Sequence, residues 1–253
     1  MIALKVALTP ALIATATLLG RRFGQSFAGW LVGFPFTSAP VSLFLALEQG
    51  HGFAASAAVG SVAGVLAQTA FPLAYVRFRQ HGWPVAFAAG TVAFAVVGAA
   101  LRFVALPAVA IALIDVAVLL AALRVMPHTR RAEARAATVA PRWDLPSRAV
   151  VATALVVALT EVAPLLGPFT SGVISGFPVY ASVLAIFAHR TSGPDPAAEV
   201  MRGLVAGLFG FAAFFLVIAL ALMPLGILAA YALATISVVA VQSISLALLR
   251  RSA

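Results

Sequence analysis

Long apolar runs separated by short charged, glycine-containing or proline-containing breaks organise this chain from end to end. A spanning helix needs about 20 apolar residues, because a rise of about 1.5 Å per residue must cross about 30 Å of hydrocarbon. Phe23 to Leu47 and Gly82 to Leu101 are each free of charge, and each matches one crossing. Gly203 to Leu249 is charge-free over far more than one crossing, so it must fold back, and Pro224 and Gly226 near its middle supply the break. Between Arg148 and Arg190 only Glu161 interrupts the apolar run, and Pro164, Gly167 and Pro168 mark another hairpin. The pattern predicts an all-α, polytopic transmembrane helix bundle of about nine helices, at roughly 2–20, 27–47, 53–76, 83–101, 105–123, 149–166, 171–188, 201–222 and 225–249. Met126 to Ser147 carries Arg130, Arg131, Glu133, Arg135, Arg142 and Asp144 among Pro127, Pro141 and Pro146, and reads as a solvated connector. It divides a first transmembrane repeat of about five helices, 1–125, from a second of about four, 148–253.

Composition turns that pattern into a class. Of 253 residues, 63% are hydrophobic and 9% charged, with a mean hydropathy of +1.11. A water-soluble domain carries about 25% charged residues, so this chain lacks the polar groups to face water on all sides and reads as an integral membrane protein. The 16 basic and 7 acidic residues give a net charge of +9. The basic residues are scattered between apolar runs, which argues against a nucleic-acid partner. They report orientation instead. With the N-terminus outside and the C-terminus cytoplasmic, only Lys5 and Arg102 fall on the outer side, as the positive-inside rule requires of a bacterial inner (cytoplasmic) membrane protein. Arg21 and Arg22, following the first apolar run, favour a retained helix over a cleaved signal peptide. The absence of cysteine excludes disulfides, thiolate metal sites and a cysteine nucleophile.

The two halves align with each other. At an offset of 143 positions, Lys5–Phe71 matches Arg148–Phe214 without gaps. Gly29, Gly33, Phe34 and Pro35 meet Gly172, Gly176, Phe177 and Pro178, while Gly60, Ala63, Gly64 and Phe71 meet Gly203, Ala206, Gly207 and Phe214. An odd number of crossings between the two starts predicts that the second copy is inserted in the opposite sense, giving two inverted-topology repeats. Gly176-Phe177-Pro178 within a helix, Ile186-Phe187-Ala188-His189 closing it and Gly193 just beyond resemble the GlpM family of small bacterial inner-membrane proteins. The resemblance implies two such units fused into one chain and bears on architecture more than on activity. Val179-Tyr180-Ala181 and the first copy's Ala46 to Gly50 depart from the family pattern.

Few residues carry candidate chemistry. Asp115 lies in mid-helix, where an ionised carboxylate costs at least about 2.5–3.5 kcal/mol. It is read either as a neutral acid packed between helices or as a proton-coupling or substrate group. Glu161, near a helix end, either reaches the outer interface or takes such a role. Glu48, Glu133, Asp144, Asp195 and Glu199 are expected in loops or at helix ends that water reaches. Pro35 and Pro178 each remove a helical hydrogen bond and are expected to free the carbonyls of Leu31 and Ile174, either as simple kinks or as a midplane binding site. Thr37, Ser38, Ser42, Tyr180 and Ser182 stand nearby as polar contacts or as hydroxyls bonding their own backbone. No phosphate-binding loop, metal-spaced histidine pair or serine with a partnering base is found, so no enzyme activity, cofactor or metal site is expected. Inverted repeats supply two near-equivalent states of opposite access, so a secondary transporter of a small solute is the expected function. A non-transporting membrane scaffold or envelope-biogenesis partner is the alternative.

Overall fold

The computed structural model describes residues 2–36, 38–127, 146–154 and 168–251, and among these the chain is all-α with no strand. Its helices are α1 (Ile2–Phe23), α2 (Gln25–Val32), α3 (Ser38–Glu48), α4 (His51–Phe78), α5 (Trp83–Ala100), α6 (Ala108–Val125), α7 (146–154), α8 (Pro168–Ser175), α9 (Val179–Ser192) and α10 (Pro194–Arg251). Five helical stretches are long and apolar enough to cross a bilayer, running from His51, Trp83, Ala108, Gly172 and Pro194. These support a multi-pass membrane protein in contact with lipid.

The stretch from Pro194 is a hairpin. Gly226 takes φ 73° and ψ 178°, a conformation open to glycine and strained for other residues, one residue beyond Pro224-Leu225. The arms return along each other: Tyr231 packs on Phe214 with ring centroids 6.2 Å apart, and Gln242 Nε2 donates to the Gly207 carbonyl at 2.7 Å. The fold-back therefore stands at the predicted place, but its first arm starts at Pro194 rather than near 201. Proline is favoured in a helix's first turn, where its missing N–H has no intrahelical acceptor to lose.

Helix α4 and the first arm of α10 form the centre, and glycines seat two short helices on them at backbone contact. A β-carbon on Gly29 of α2 would overlap the Val200 carbonyl and crowd the Leu204 nitrogen. One on Gly172 of α8 would overlap the Ala57 carbonyl and crowd the Ser61 nitrogen. The reverse contacts match: Gly203 abuts the Ser26 carbonyl, and Gly60 abuts that of Phe169. Each of these pairs of contacts is related by the offset of 143 positions. In lipid the hydrophobic effect does not drive helices together, so association rests on such close dispersion contact.

Direction follows from the same contacts. Along α2, Ser26, Gly29 and Gly33 meet Glu199, Val200 and Gly207 in rising order, so α2 runs parallel to the start of α10. Along α8, Phe169, Val173 and Gly176 meet Gly60, Gly64 and Gln68, so α8 runs parallel to α4. Helices α4 and α10 lie side by side, and Arg79 just past the end of α4 pairs with Asp195 in the first turn of α10 at 3.5 Å, so these two are antiparallel. Consequently α2 and α8 run in opposite senses.

One end of the bundle gathers the charge. Besides Arg79 and Asp195 it holds Ser26, which donates to Glu199, and Arg202, whose Nη1 donates to the Leu123 and Met126 carbonyls at 2.6 and 3.0 Å where α6 stops. Arg148 of α7 lies over the Phe187 ring at 4.7 Å. Two expectations change here. Glu199 is only 5% exposed, because α2 covers it, and Met126 is buried under Arg202 rather than solvated. Connector positions 146 and 147 belong to α7 instead, and 128–145 lie outside the described residues. Leu113, Ile114 and Val116 of α6, Val92 and Val96 of α5 and Leu228, Ile236 and Val239 of α10 are exposed, which assigns the outer layer to these helices.

Candidate functional site

The two Gly-Phe-Pro sequences do more than bend their helices. Each divides a helix in two: Gly33 to Phe36 separates α2 from α3, and Gly176 to Pro178 separates α8 from α9. Proline cannot donate to the fourth residue back, and each segment tightens in the same way. Phe34 N–H bonds the Leu31 carbonyl at 3.3 Å, and Phe177 N–H bonds that of Ile174 at 2.9 Å. The carbonyls expected to be freed by Pro35 and Pro178 are thus taken three residues on. Beyond them the chain makes a tight turn about each proline. Phe36 N–H reaches the Phe34 carbonyl and Val179 N–H that of Phe177, both at 2.8 Å, and Pro178 sits at φ −79°, ψ 61°. Ala39 and Ser182 then restart their helices from the Pro35 and Pro178 carbonyls, at 2.8 and 2.9 Å.

The breaks meet inside the bundle. Pro35 and Pro178 are both buried, and Ser38 Oγ donates across the molecule to the Ser175 carbonyl at 3.3 Å. That bond joins the start of α3 to the end of α8. Beside it lies Gln68 of α4, whose Nε2 is 2.6 Å from the place a β-carbon on Gly176 would occupy. Gln68 is 3% exposed and Nε2 has no hydrogen-bond partner among the described residues. Phe177 closes the side of the break, its ring edge-on to Phe94 at 5.1 Å and to Phe71 at 5.7 Å.

The other polar positions divide between contact and self-satisfaction. Tyr180 is buried in the first turn of α9. Ser182 bonds its own helix through the Pro178 carbonyl at 2.8 Å, the blander of its two expected roles. Ser42 instead crosses to the Tyr231 hydroxyl at 2.8 Å, holding α3 to the returning arm of α10. Thr37 and Glu161 lie outside the described residues.

Asp115 stands apart from the breaks along the sequence and is the most unusual polar group in the interior. It is 0% exposed, on the α6 face formed with Ile111, Ala112, Leu119 and Ala122, and α6 packs on α4 and α10. Neither carboxyl oxygen has a hydrogen-bond partner among the described residues. Buried polar atoms are ordinarily satisfied, so an acid with no partner among the described residues stands out in these surroundings. Among the described residues no three His, Asp or Glu side chains come together as a metal site.

Sequence reasoning passed over Gln68. Its signal was present: a single amide within the apolar run of α4, where helix interiors in membranes carry few polar groups. Which element it faces depended on α8, more than a hundred positions away, and could not be read locally. Comparison of the chain with protein-family models, with curated proteins and with solved structures yields no match.

Proposed function

We propose that this protein is a secondary transporter of a small solute, working by alternating access between two inverted repeats of a bacterial inner-membrane protein. The observation that carries the reading is the pair of broken helices: two Gly-Phe-Pro interruptions share one hydrogen-bond pattern, run in opposite senses and are joined by Ser38 and Ser175 in the interior. Irregular backbone at membrane depth is tolerated where it lies buried in protein or lines a cavity, and transporters place their solutes at such interruptions. A duplicated element in opposite orientations also has two conformations of nearly equal energy, which is the physical requirement for access from either side. The resemblance to two fused GlpM-like units accords with this arrangement and supplies no substrate.

Asp115 is the coupling group in this reading. An ionised carboxylate at that depth costs at least about 2.5–3.5 kcal/mol, whereas a protonated one carries no net charge, so a proton can ride with it between states. In proteoliposomes with a trapped pH dye, a transported solute should drive proton entry in the native protein. Asp115→Asn, close in shape, should insert and fold while losing that proton signal by at least about tenfold, the scale on which removing an essential proton carrier acts. Unchanged proton entry in the variant would remove Asp115 from the mechanism. Absence of both solute flux and any ligand-induced stabilisation would favour the scaffold alternative.

A further inference from the structure

Three side-chain contacts tie the first half of the chain to the second at the charged end of the bundle. Ser26 of α2 donates to Glu199 of α10, Arg79 pairs with Asp195 at 3.5 Å, and the Tyr75 hydroxyl of α4 shares a hydrogen bond with His189 Nδ1 of α9 at 3.1 Å. Tyr75 and Arg79 stand one turn apart along α4, as do Asp195 and Glu199 along α10, so each pair shares a helix face. The contacts gather where α2 and α10 begin and where α4 and α9 stop.

Among the described residues no charged group joins the halves at the opposite end. With the offset of 143 continued to the end of α4, Ser26 and Glu199 correspond to Phe169 and Ser56, Arg79 and Asp195 to Leu222 and Gly52, and Tyr75 and His189 to Ile218 and Ala46. None of these six carries a charge. Where α8 meets α4 the seat is backbone against Gly60 and Gly172, and the side-chain links across the halves are the neutral ones of Ser61 to the Gly172 carbonyl at 3.3 Å and of Ser42 to the Tyr231 hydroxyl at 2.8 Å. Charged and titratable groups part readily only where water takes each partner's place. The charged end meets that condition: the Asp195 side chain is half-exposed, and Arg190 beside His189 is exposed. A partly exposed ion pair or a single hydrogen bond adds little net stability, because water replaces the lost partner, so these contacts break and re-form at small cost.

We propose that Ser26–Glu199, Arg79–Asp195 and Tyr75–His189 form a one-sided latch: while they hold, the two halves stay together at the charged end, and their release opens the paired breaks to the face on that side. The assignment rests on the transporter reading and names the control of access to its central site. The latch acts on the halves as units, since each of its contacts joins a residue of 1–125 to one of 148–253.

The test uses a reporter thiol at the first break. The chain has no cysteine and Ser38 is 7% exposed, so Ser38→Cys supplies a single buried thiol with the change of one atom. The full-length protein is placed in vesicles of each orientation, and labelling by a membrane-impermeant maleimide is timed from either face. A fusion at Arg135 identifies the latch side, since the 128–145 connector leaves α6 at the end where Arg202 holds Met126. With Asp195→Asn and Tyr75→Phe together, both close in shape to the native side chains, labelling from the latch side should quicken by about tenfold, the population shift that follows loss of two contacts of ordinary strength. Labelling from the other face should keep its native rate. If that pair prevents folding, Asp195→Asn alone, at a half-exposed position, should quicken latch-side labelling by about threefold. Ser61→Ala, among the neutral links, should leave it unchanged. An unaltered latch-side rate in the Asp195 and Tyr75 variants overturns the proposal. Equal quickening from both faces, or an equal rise in Ser61→Ala, overturns it too, because a loosened bundle gives the same result. The readout needs no solute, so a failed latch leaves the transport reading to its own proton-entry test. One-sided opening in a protein that moves no solute keeps the latch and removes transport.

Discussion

A methyl group means different things at Gly29 and at Gly52, although both glycines lie in helices. At Gly29 it has no room, because the Val200 backbone already fills the place, and backbone cannot rotate aside as a long side chain can. At Gly52 nothing lies within 4 Å of the added carbon, and the residue is exposed. Gly29→Ala should therefore lower stability by about 1–3 kcal/mol through overpacking. Gly52→Ala should leave it level or raise it by up to about 1 kcal/mol, since glycine is the poorer helix former. Unfolding in mixed micelles with increasing sodium dodecyl sulfate separates the two. Equal effects would mean that α2 does not rest on α10 through its glycines. The recurrence of Gly29 at Gly172 and of Gly60 at Gly203 was readable from the sequence alignment. Their partners were not, because helical spacing shows which residues share a face and is silent on what that face meets.

Helix ends decide the next level. Helix α6 stops at Val125 with its last carbonyls turned to the bundle, and Arg202 from α10 accommodates two of them. A cation there also meets the negative end of the helix dipole. Replacing it by a neutral side chain of similar reach, Arg202→Gln, should cost about 1–3 kcal/mol, the range of charged hydrogen bonds. Hydrogen exchange should show the last turn of α6 opening first, and uniform loss of protection across the bundle would count against this capping role. The sequence marked the end of α6 well, through Met126-Pro127, yet gave no reason to expect its cap. It likewise placed the fold-back at Gly226 but read Pro194-Asp195-Pro196 as loop, since prolines that end one helix also suit the first turn of another. Pro35 and Pro178 were read as kinks or sites within continuous helices. The structure makes them full interruptions, because the tight turn about each proline, closed on the Phe34 and Phe177 carbonyls, completes what proline begins.

At the scale of the whole molecule, contacts gather Arg79, Arg148 and Arg202 at one end, and the proposed orientation puts that end in the cytoplasm. Reporter fusions at Arg135 and after Ala253 should both read cytoplasmic, and an external signal at either would overturn that topology. The match of the two stretches at an offset of 143 positions was legible in the sequence; the seating of each on the other was not. Helix α2 rests on α10, and α8 rests on α4, so the first segment of each broken helix is seated on the other half of the chain. This arrangement sets an order of events during synthesis. Gly29 leaves the ribosome well before Val200, and at about 5–20 residues per second the interval is roughly ten to thirty seconds. Throughout it, α2 sits in the bilayer with its glycine face against lipid or a helper protein, whereas α8 meets a finished α4 on emergence. The two breaks share a geometry and differ in history, and nascent chains stalled before α10 should be the form most open to degradation.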